Sequence, residues 1–164
     1  TYSFNGTTAQ KWSLSAESIL STGTYEFVSD LSKDKCLDVA GGTKQNGGKV
    51  QIYTINGTVA QKWKVSSTSS GYYTITCVGS GKVLDVDGGS SLSGTTVWQY
   101  SSNGTKAQRW KFVMSSKGLQ IVSALGTVLD VAGGTTSNGT KVWSYSTNGT
   151  SAQIWHPFTV SASS

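Results

Sequence analysis

Tyr2–Trp12 (YSFNGTTAQKW), Tyr53–Trp63 (YTINGTVAQKW), Tyr100–Trp110 (YSSNGTKAQRW) and Tyr145–Trp155 (YSTNGTSAQIW) are four copies of one eleven-residue phrase. A phrase that recurs at fixed spacing announces a fold built from repeated units, before any local propensity is weighed. Ahead of each of the last three copies stands a Leu-Asp-Val: Leu37-Asp38-Val39, Leu84-Asp85-Val86 and Leu129-Asp130-Val131. In all three, the Tyr follows the Asp by 15 residues, the Asn by 18, the Gln by 23 and the Trp by 25. The Asp-to-Asp period is 47 residues and then 45, so three units run from about Tyr25 to Val160.

Composition agrees with short strands and tight turns. Of 164 residues, 13% are charged and 36% hydrophobic, with 20 Gly and six Trp, a profile poor in helix formers. The 13 basic and eight acidic residues give a net charge of +5, but the lysines are scattered singly. With no basic stripe, the charge reads as solubility and not as a nucleic-acid footprint. No run approaches the roughly 18 apolar residues of a membrane-spanning helix. No signal peptide is visible, so a secreted parent protein would carry one upstream of this segment.

Within a unit, four strands are legible. Tyr72–Thr76 alternates and is rich in β-formers, and Val83–Val86 follows a Gly-Ser-Gly turn. Gly88-Gly89, a polar loop, Thr95–Tyr100, an Asn103-Gly104 turn and Gln108–Val113 complete it. Asn-Gly is expected to supply the positive backbone dihedrals of a tight turn, here and at Asn56-Gly57 and Asn148-Gly149. Three equivalent four-strand units predict an all-β fold, a β-trefoil with pseudo-threefold symmetry: a six-stranded barrel capped by three hairpins. Trp63, Trp110 and Trp155, one per unit, are expected in the barrel core. Repeat boundaries fall at about 24–69, 70–115 and 116–160.

Three Gln-x-Trp motifs, Gln61-Lys62-Trp63, Gln108-Arg109-Trp110 and Gln153-Ile154-Trp155, each trail a Leu-Asp-Val-x-Gly-Gly. This pattern resembles the ricin B-type lectin β-trefoil, most closely the bacterial family 13 carbohydrate-binding modules, over residues 25–160. The resemblance implies a shallow sugar pocket in each unit, where the Asp accepts from two hydroxyls and an aromatic 15 positions later stacks on the ring. By position, the first unit offers Asp38, Gln51, Tyr53 and Asn56, with Gln61 bracing the Asp. The second offers Asp85, Trp98, Tyr100, Asn103 and Gln108, and the third Asp130, Trp143, Tyr145, Asn148 and Gln153. The favoured ligand by resemblance is a galactose-type glycan, with xylan-like chains second.

Chemistry supports that assignment independently. A pyranose offers an apolar face and an equator of hydroxyls, which a flat aromatic and a two-oxygen acceptor complement. Strand alternation puts positions 13 and 15 on one face, setting Gln51 beside Tyr53 and Trp98 beside Tyr100. Three departures from the family stand out. Ala60, Ala107 and Ala152 occupy a position where the family often has a sugar-binding Asn, so Asn56, Asn103 and Asn148 either substitute or leave weaker sites. Trp98 and Trp143 either widen the platform or pack inward through a strand bulge. Ile55, Ser102 and Thr147 replace a frequent disulfide position, so stability rests on the core. An Asp after a strand can also simply cap the turn that follows, with no ligand involved.

Other functions find less support. Three Asp in three different units do not form the carboxylate pair of a glycosidase, and His156, before Pro157, reads as a strand-end residue. Cys36 and Cys77 differ in repeat position; free buried thiols are the favoured reading and a bridge the alternative. Two Cys and one His make a poor metal set, and no cofactor is implied. Five Asn-Gly-Thr sequons, at Asn5, Asn56, Asn103, Asn138 and Asn148, are acceptors only in a eukaryotic secretory route, and four of them belong to the repeated turn.

The sequence therefore predicts a non-catalytic, glycan-binding module that targets a larger secreted or cell-surface protein to a polysaccharide, with that protein's neighbouring domains as partners. The alternative is a scaffold or protein-interaction trefoil whose pockets have decayed. Residues 1–23 read as a partial repeat, the tail of an upstream trefoil, and a linker, with 24–164 as the trefoil. In a second arrangement, residues 1–13 close this barrel in place of Tyr145–Phe158.

Overall fold

A computed structural model describes residues 20–161. The readings of residues 1–13 lie outside the described residues. Twelve strands and no α-helix are found among the described residues. The first unit holds β1 (Gly23–Ser29), β2 (Lys35–Val39), β3 (Gly48–Thr54) and β4 (Trp63–Ser67). The second holds β5 (Tyr73–Cys77), β6 (Val83–Val86), β7 (Thr95–Tyr100) and β8 (Trp110–Met114). The third holds β9 (Leu119–Ser123), β10 (Val128–Val131), β11 (Val142–Tyr145) and β12 (Trp155–Thr159).

The first and last strands of each unit form a closed antiparallel ring: β1 pairs β4, β4 pairs β5, β5 pairs β8, β8 pairs β9, β9 pairs β12, and β12 returns to β1. Ring closure satisfies the backbone groups that an open edge would expose. The middle strands form three hairpins, β2–β3, β6–β7 and β10–β11. These touch one another through β3–β7, β7–β11 and a Gln51–Lys141 bridge, and so cap one end of the ring. The architecture is all-β and β-trefoil-like.

Repeat symmetry reaches the core. Trp63, Trp110 and Trp155 are fully buried, and each indole N–H donates to the carbonyl of the Leu before a repeated Asp: Leu37 at 3.0 Å, Leu84 at 3.1 Å and Leu129 at 3.2 Å. An indole is a large apolar body with one donor that must be satisfied when buried. The fixed 25-residue spacing from Asp to Trp is therefore a packing constraint as well as a sequence signature. Cys36 and Cys77 are both buried free thiols.

Two local expectations need correction. The Asn-Gly dipeptides do not close hairpins, because β3 and β4 pair with other strands. Each lies in a crossover that ends in a short 3₁₀ turn, at Val59–Gln61, Lys106–Gln108 and Ser151–Gln153. Gln108 thus belongs to a turn, and the strand begins at Trp110. Only the Gly takes positive φ (71° at Gly57, 73° at Gly104 and Gly149), while the Asn Oδ1 accepts from the Thr two residues on. His156 is an internal residue of β12, and its Nε2 meets Asp30 Oδ1 at 2.8 Å. That contact holds the Asp30 carboxyl below its ordinary range.

Candidate functional site

Each repeated Asp is the penultimate residue of its strand, and a Gly-Gly turn begins three residues after it. At Gly41-Gly42, both residues adopt left-handed φ (63° and 61°), which other L-residues resist, and both line the same cavity as Asp38. Asp38, Asp85 and Asp130 are buried (5–6% exposed), and each lines a surface cavity formed mainly by its own unit. The cavities measure about 470, 520 and 480 Å³ in units one to three. Tyr53, Asn56 and Ala60 line the first; Tyr100, Asn103 and Ala107 the second; Tyr145, Asn148 and Ala152 the third. Spacings of 15 and 18 residues from the Asp therefore converge on one concave surface, three times over.

Position 13 fixes the carboxylate. Gln51 Nε2 donates to Asp38 Oδ2 at 2.8 Å. Trp98 Nε1 donates to Asp85 Oδ2 at 2.8 Å, and Trp143 Nε1 to Asp130 Oδ1 at 2.9 Å. The two Trp are half-buried and line their cavities instead of packing inward. Trp98 stacks on Tyr100 with centroids 5.8 Å apart at 23°, and Trp143 on Tyr145 at 5.3 Å and 22°. The first unit lacks this pair, and Tyr53 stands alone at 39% exposure.

Behind the cavity, the Gln of each Gln-x-Trp is fully or almost fully buried. Gln153 accepts from Asn148 N at 2.9 Å and donates to both Ser146 O and Asp130 Oδ2 at 2.8 Å. Gln61 and Gln108 make the same backbone bonds, to Asn56 and Thr54 and to Asn103 and Ser101. These three residues position the Asp and the Asn turn from inside the protein. The Asn Oδ1 is committed to the turn, so the amide NH₂ is the group left to face a ligand.

Burial raises the pKa of Asp38, Asp85 and Asp130. Hydrogen bonds draw each partway back down: from Gln51 and Gln61 on Asp38, Trp98 and Gln108 on Asp85, and Gln153 and Trp143 on Asp130. A desolvated acceptor held in place beside an aromatic face is built to receive hydroxyl donors. No second carboxylate lines any of the three cavities, and no metal-binding cluster is found among the described residues.

Thr43, Lys44, Gly79 and Ser80 also line the first cavity, and Leu125 and Leu31 the second and third, at positions outside the repeated Asp-to-Trp spacing. They come from the Gly-Gly loop and from the corner of the next unit. Differing repeat periods were the available signal.

A buried carboxylate facing an exposed or half-buried tyrosine, repeated around a β-trefoil-like barrel, defines the class of lectin-like trefoils. The chain belongs to the ricin-type beta-trefoil lectin domain-like family, whose model matches residues 1–53, 59–142 and 106–164. No curated protein matches the sequence. Among solved structures, the chain is similar to ThreeFoil, a designed threefold-symmetric protein (34% identity, TM-score 0.81, covering 84% of this chain and 99% of that one). It is equally similar to an exo-β-1,3-galactanase of Clostridium thermocellum (34% identity, TM-score 0.81), matching 88% of this chain but only 32% of the galactanase. The Rhizoctonia solani agglutinin is 27% identical with a TM-score of 0.78, over 86% of this chain and 97% of that one.

Proposed function

We propose that the chain is a non-catalytic carbohydrate-binding module, close to the family 13 modules, with one pocket per unit. The observation that carries this reading is the convergence, in each unit, of an anchored buried carboxylate and a Tyr on one open cavity. In the role assigned here, Asp38, Asp85 and Asp130 accept from two sugar hydroxyls, and Tyr53, Tyr100 and Tyr145 stack on the ring's apolar face. Trp98 and Trp143 extend that platform, and Gln51 orients its Asp without adding one. Asn56, Asn103 and Asn148 donate from the rim, while Gln61, Gln108 and Gln153 hold the site from behind.

A galactose-type sugar is the favoured ligand, and the likeness to part of a galactanase supports it. Each pocket is open to water, so single-site dissociation constants are expected at about 0.1–1 mM. Several pockets on one rigid body raise avidity by roughly 10²–10⁴ on a polymer. In this reading the module is secreted or displayed at a cell surface and tethers a larger protein to a polysaccharide. A glycan array with the parent and with Asp38→Ala, Asp85→Ala and Asp130→Ala separately tests it. Galactosides retained by the parent and weakened by each change are expected. A parent that retains no glycan sinks the function, and binding indifferent to all three changes sinks the site assignment.

A further inference from the structure

The three cavities are not equivalent on the side facing the next unit. Val78 N donates to Lys62 O, Ala124 N to Arg109 O and Asp30 N to Ile154 O, each at 2.9 Å, so the residues that follow, Gly79, Leu125 and Leu31, occupy equivalent corners. Leucines therefore wall the second and third cavities where the first has a glycine, with Ser80 and Cys77 beside it. Gly79 lies so close to Val59 that an added Cβ would stand 3.0 Å from its Cγ2 and 3.3 Å from its backbone C and O. The opening is thus set by backbone packing.

A second asymmetry braces the same wall. Gln99 is fully buried, and its Nε2 donates to Thr43 O at 2.8 Å and Gln45 O at 2.9 Å, while its Oε1 accepts from Ser80 Oγ at 2.7 Å. Ile52 and Ser144 stand 14 residues after their Asp, as Gln99 does, and neither offers an amide. Thr43 and Ser80 line the first cavity and Gln45 lies two residues beyond Thr43, so the three bonds join the Gly-Gly loop to the corner that carries Gly79. A buried amide satisfied on every side rigidifies what it joins.

What remains on that floor is donor chemistry. The Thr43 hydroxyl oxygen accepts from Gln45 N at 3.2 Å, leaving its O–H to give. Lys44, six residues after Asp38, has no side-chain partner among the described residues and is the sole cation lining this cavity. The equivalent residues are Ser91 and Thr136; the lysine that lines the second cavity, Lys106, stands instead on the 3₁₀ turn, where the other units have Val59 and Ser151. The cavity's one anion, Asp38, is engaged by Gln51.

Resting on the carbohydrate reading above, we infer that the first pocket is a two-residue site for an acidic glycan. One ring lies on Tyr53 against Asp38, and the carboxylate of a neighbouring uronic acid residue lies on Thr43 and Lys44, in the space that Leu125 and Leu31 fill elsewhere. The third pocket, which no cation lines, takes neutral rings, and in the second Leu125 fills the space where the acidic residue would lie.

The pockets report separately by NMR, because Gln51 contributes a side-chain NH₂ resonance in the first and Trp98 and Trp143 contribute indole N–H resonances in the others. The probes are methyl β-galactoside, a neutral galactosyl-galactose disaccharide and a glucuronosyl-galactose disaccharide, each titrated into the parent and into Lys44→Gln. The acidic disaccharide is expected to shift Gln51 with roughly two- to fivefold tighter binding than the neutral one at low salt. The preference disappears in Lys44→Gln, whose response to neutral sugar is unchanged. Equal affinity of the two disaccharides at Gln51, or a preference that survives Lys44→Gln, overturns the acidic subsite while shifts at Trp98 and Trp143 uphold the carbohydrate reading. Silence at all three pockets with all three probes overturns both.

Discussion

Trp143 is bonded to Asp130 through its indole N–H, at 2.9 Å, while its ring lies against Tyr145. One side chain thus orients the acceptor and widens the platform. Trp143→Phe should keep the stack and lose the bond, weakening galactoside binding at that pocket by roughly three- to tenfold, in line with about 1 kcal/mol for a partly exposed hydrogen bond. Titration of this variant beside Trp98→Phe checks it, and the first pocket, oriented by Gln51, should be indifferent to both.

The buried amides behind the pockets carry stability. Gln153→Ala leaves Asn148 N, Ser146 O and one Asp130 oxygen without their partner. Only the Asp130 bond is buried, and an unsatisfied buried group costs about 1–3 kcal/mol, so a loss of roughly 1–3 kcal/mol is expected by denaturant unfolding. Trp110→Ala removes a fully buried indole and its bond to Leu84, at an expected cost of about 3–5 kcal/mol.

Neighbouring units latch one another just past each pocket Tyr. Asn138 Oδ1 accepts from Thr54 N at 2.8 Å, Asn46 Oδ1 from Ser101 N at 2.8 Å, and Ser93 Oγ from Ser146 N at 2.8 Å. Asn138→Ala is expected to cost about 1 kcal/mol and to loosen Tyr53 alone, seen as weaker binding confined to the first pocket.

Acid should separate binding from folding. The pKa values of Asp38, Asp85 and Asp130 are raised from 3.8, chiefly by burial, so between that value and the raised one the folded chain holds protons that the unfolded chain has released. Stability from these groups is then fully present on the acid side of the window and declines as pH rises through it. Binding runs the other way, because a protonated carboxyl loses an acceptor site. Asp30, lowered by His156, has the opposite sign: its contribution is present above 3.8 and is lost as pH falls through the lowered value. Galactoside affinity should fall as pH drops through the raised carboxyl values. Melting curves should show the parent gaining Tm, relative to a triple Asp→Asn variant, as pH drops through the same window.

The repeat made the fold legible because Asp, Gln and Trp are tied by geometry: the Trp N–H reaches the carbonyl next to the Asp, and the Gln reaches the Asn turn. Any change in spacing breaks both. Alternation placed Trp98 beside Tyr100, but its bond to Asp85 was hidden, since residues 13 apart meet only across the β6–β7 hairpin. Asn-Gly misled because an Asx turn and a hairpin turn share a composition. Gly79, Lys44 and Gln99 escaped notice because they break the symmetry that made everything else readable, and their meeting at one wall depends on contacts between units.

The most direct measurement is an NMR titration of the parent with methyl β-galactoside, following the tryptophan indole N–H resonances. Trp98 and Trp143 should shift on saturation while buried Trp63, Trp110 and Trp155 stay still, and Asp85→Ala and Asp130→Ala should each silence their own Trp. Still resonances at Trp98 and Trp143 across a panel of neutral and acidic glycans, in a folded chain, would contradict the account.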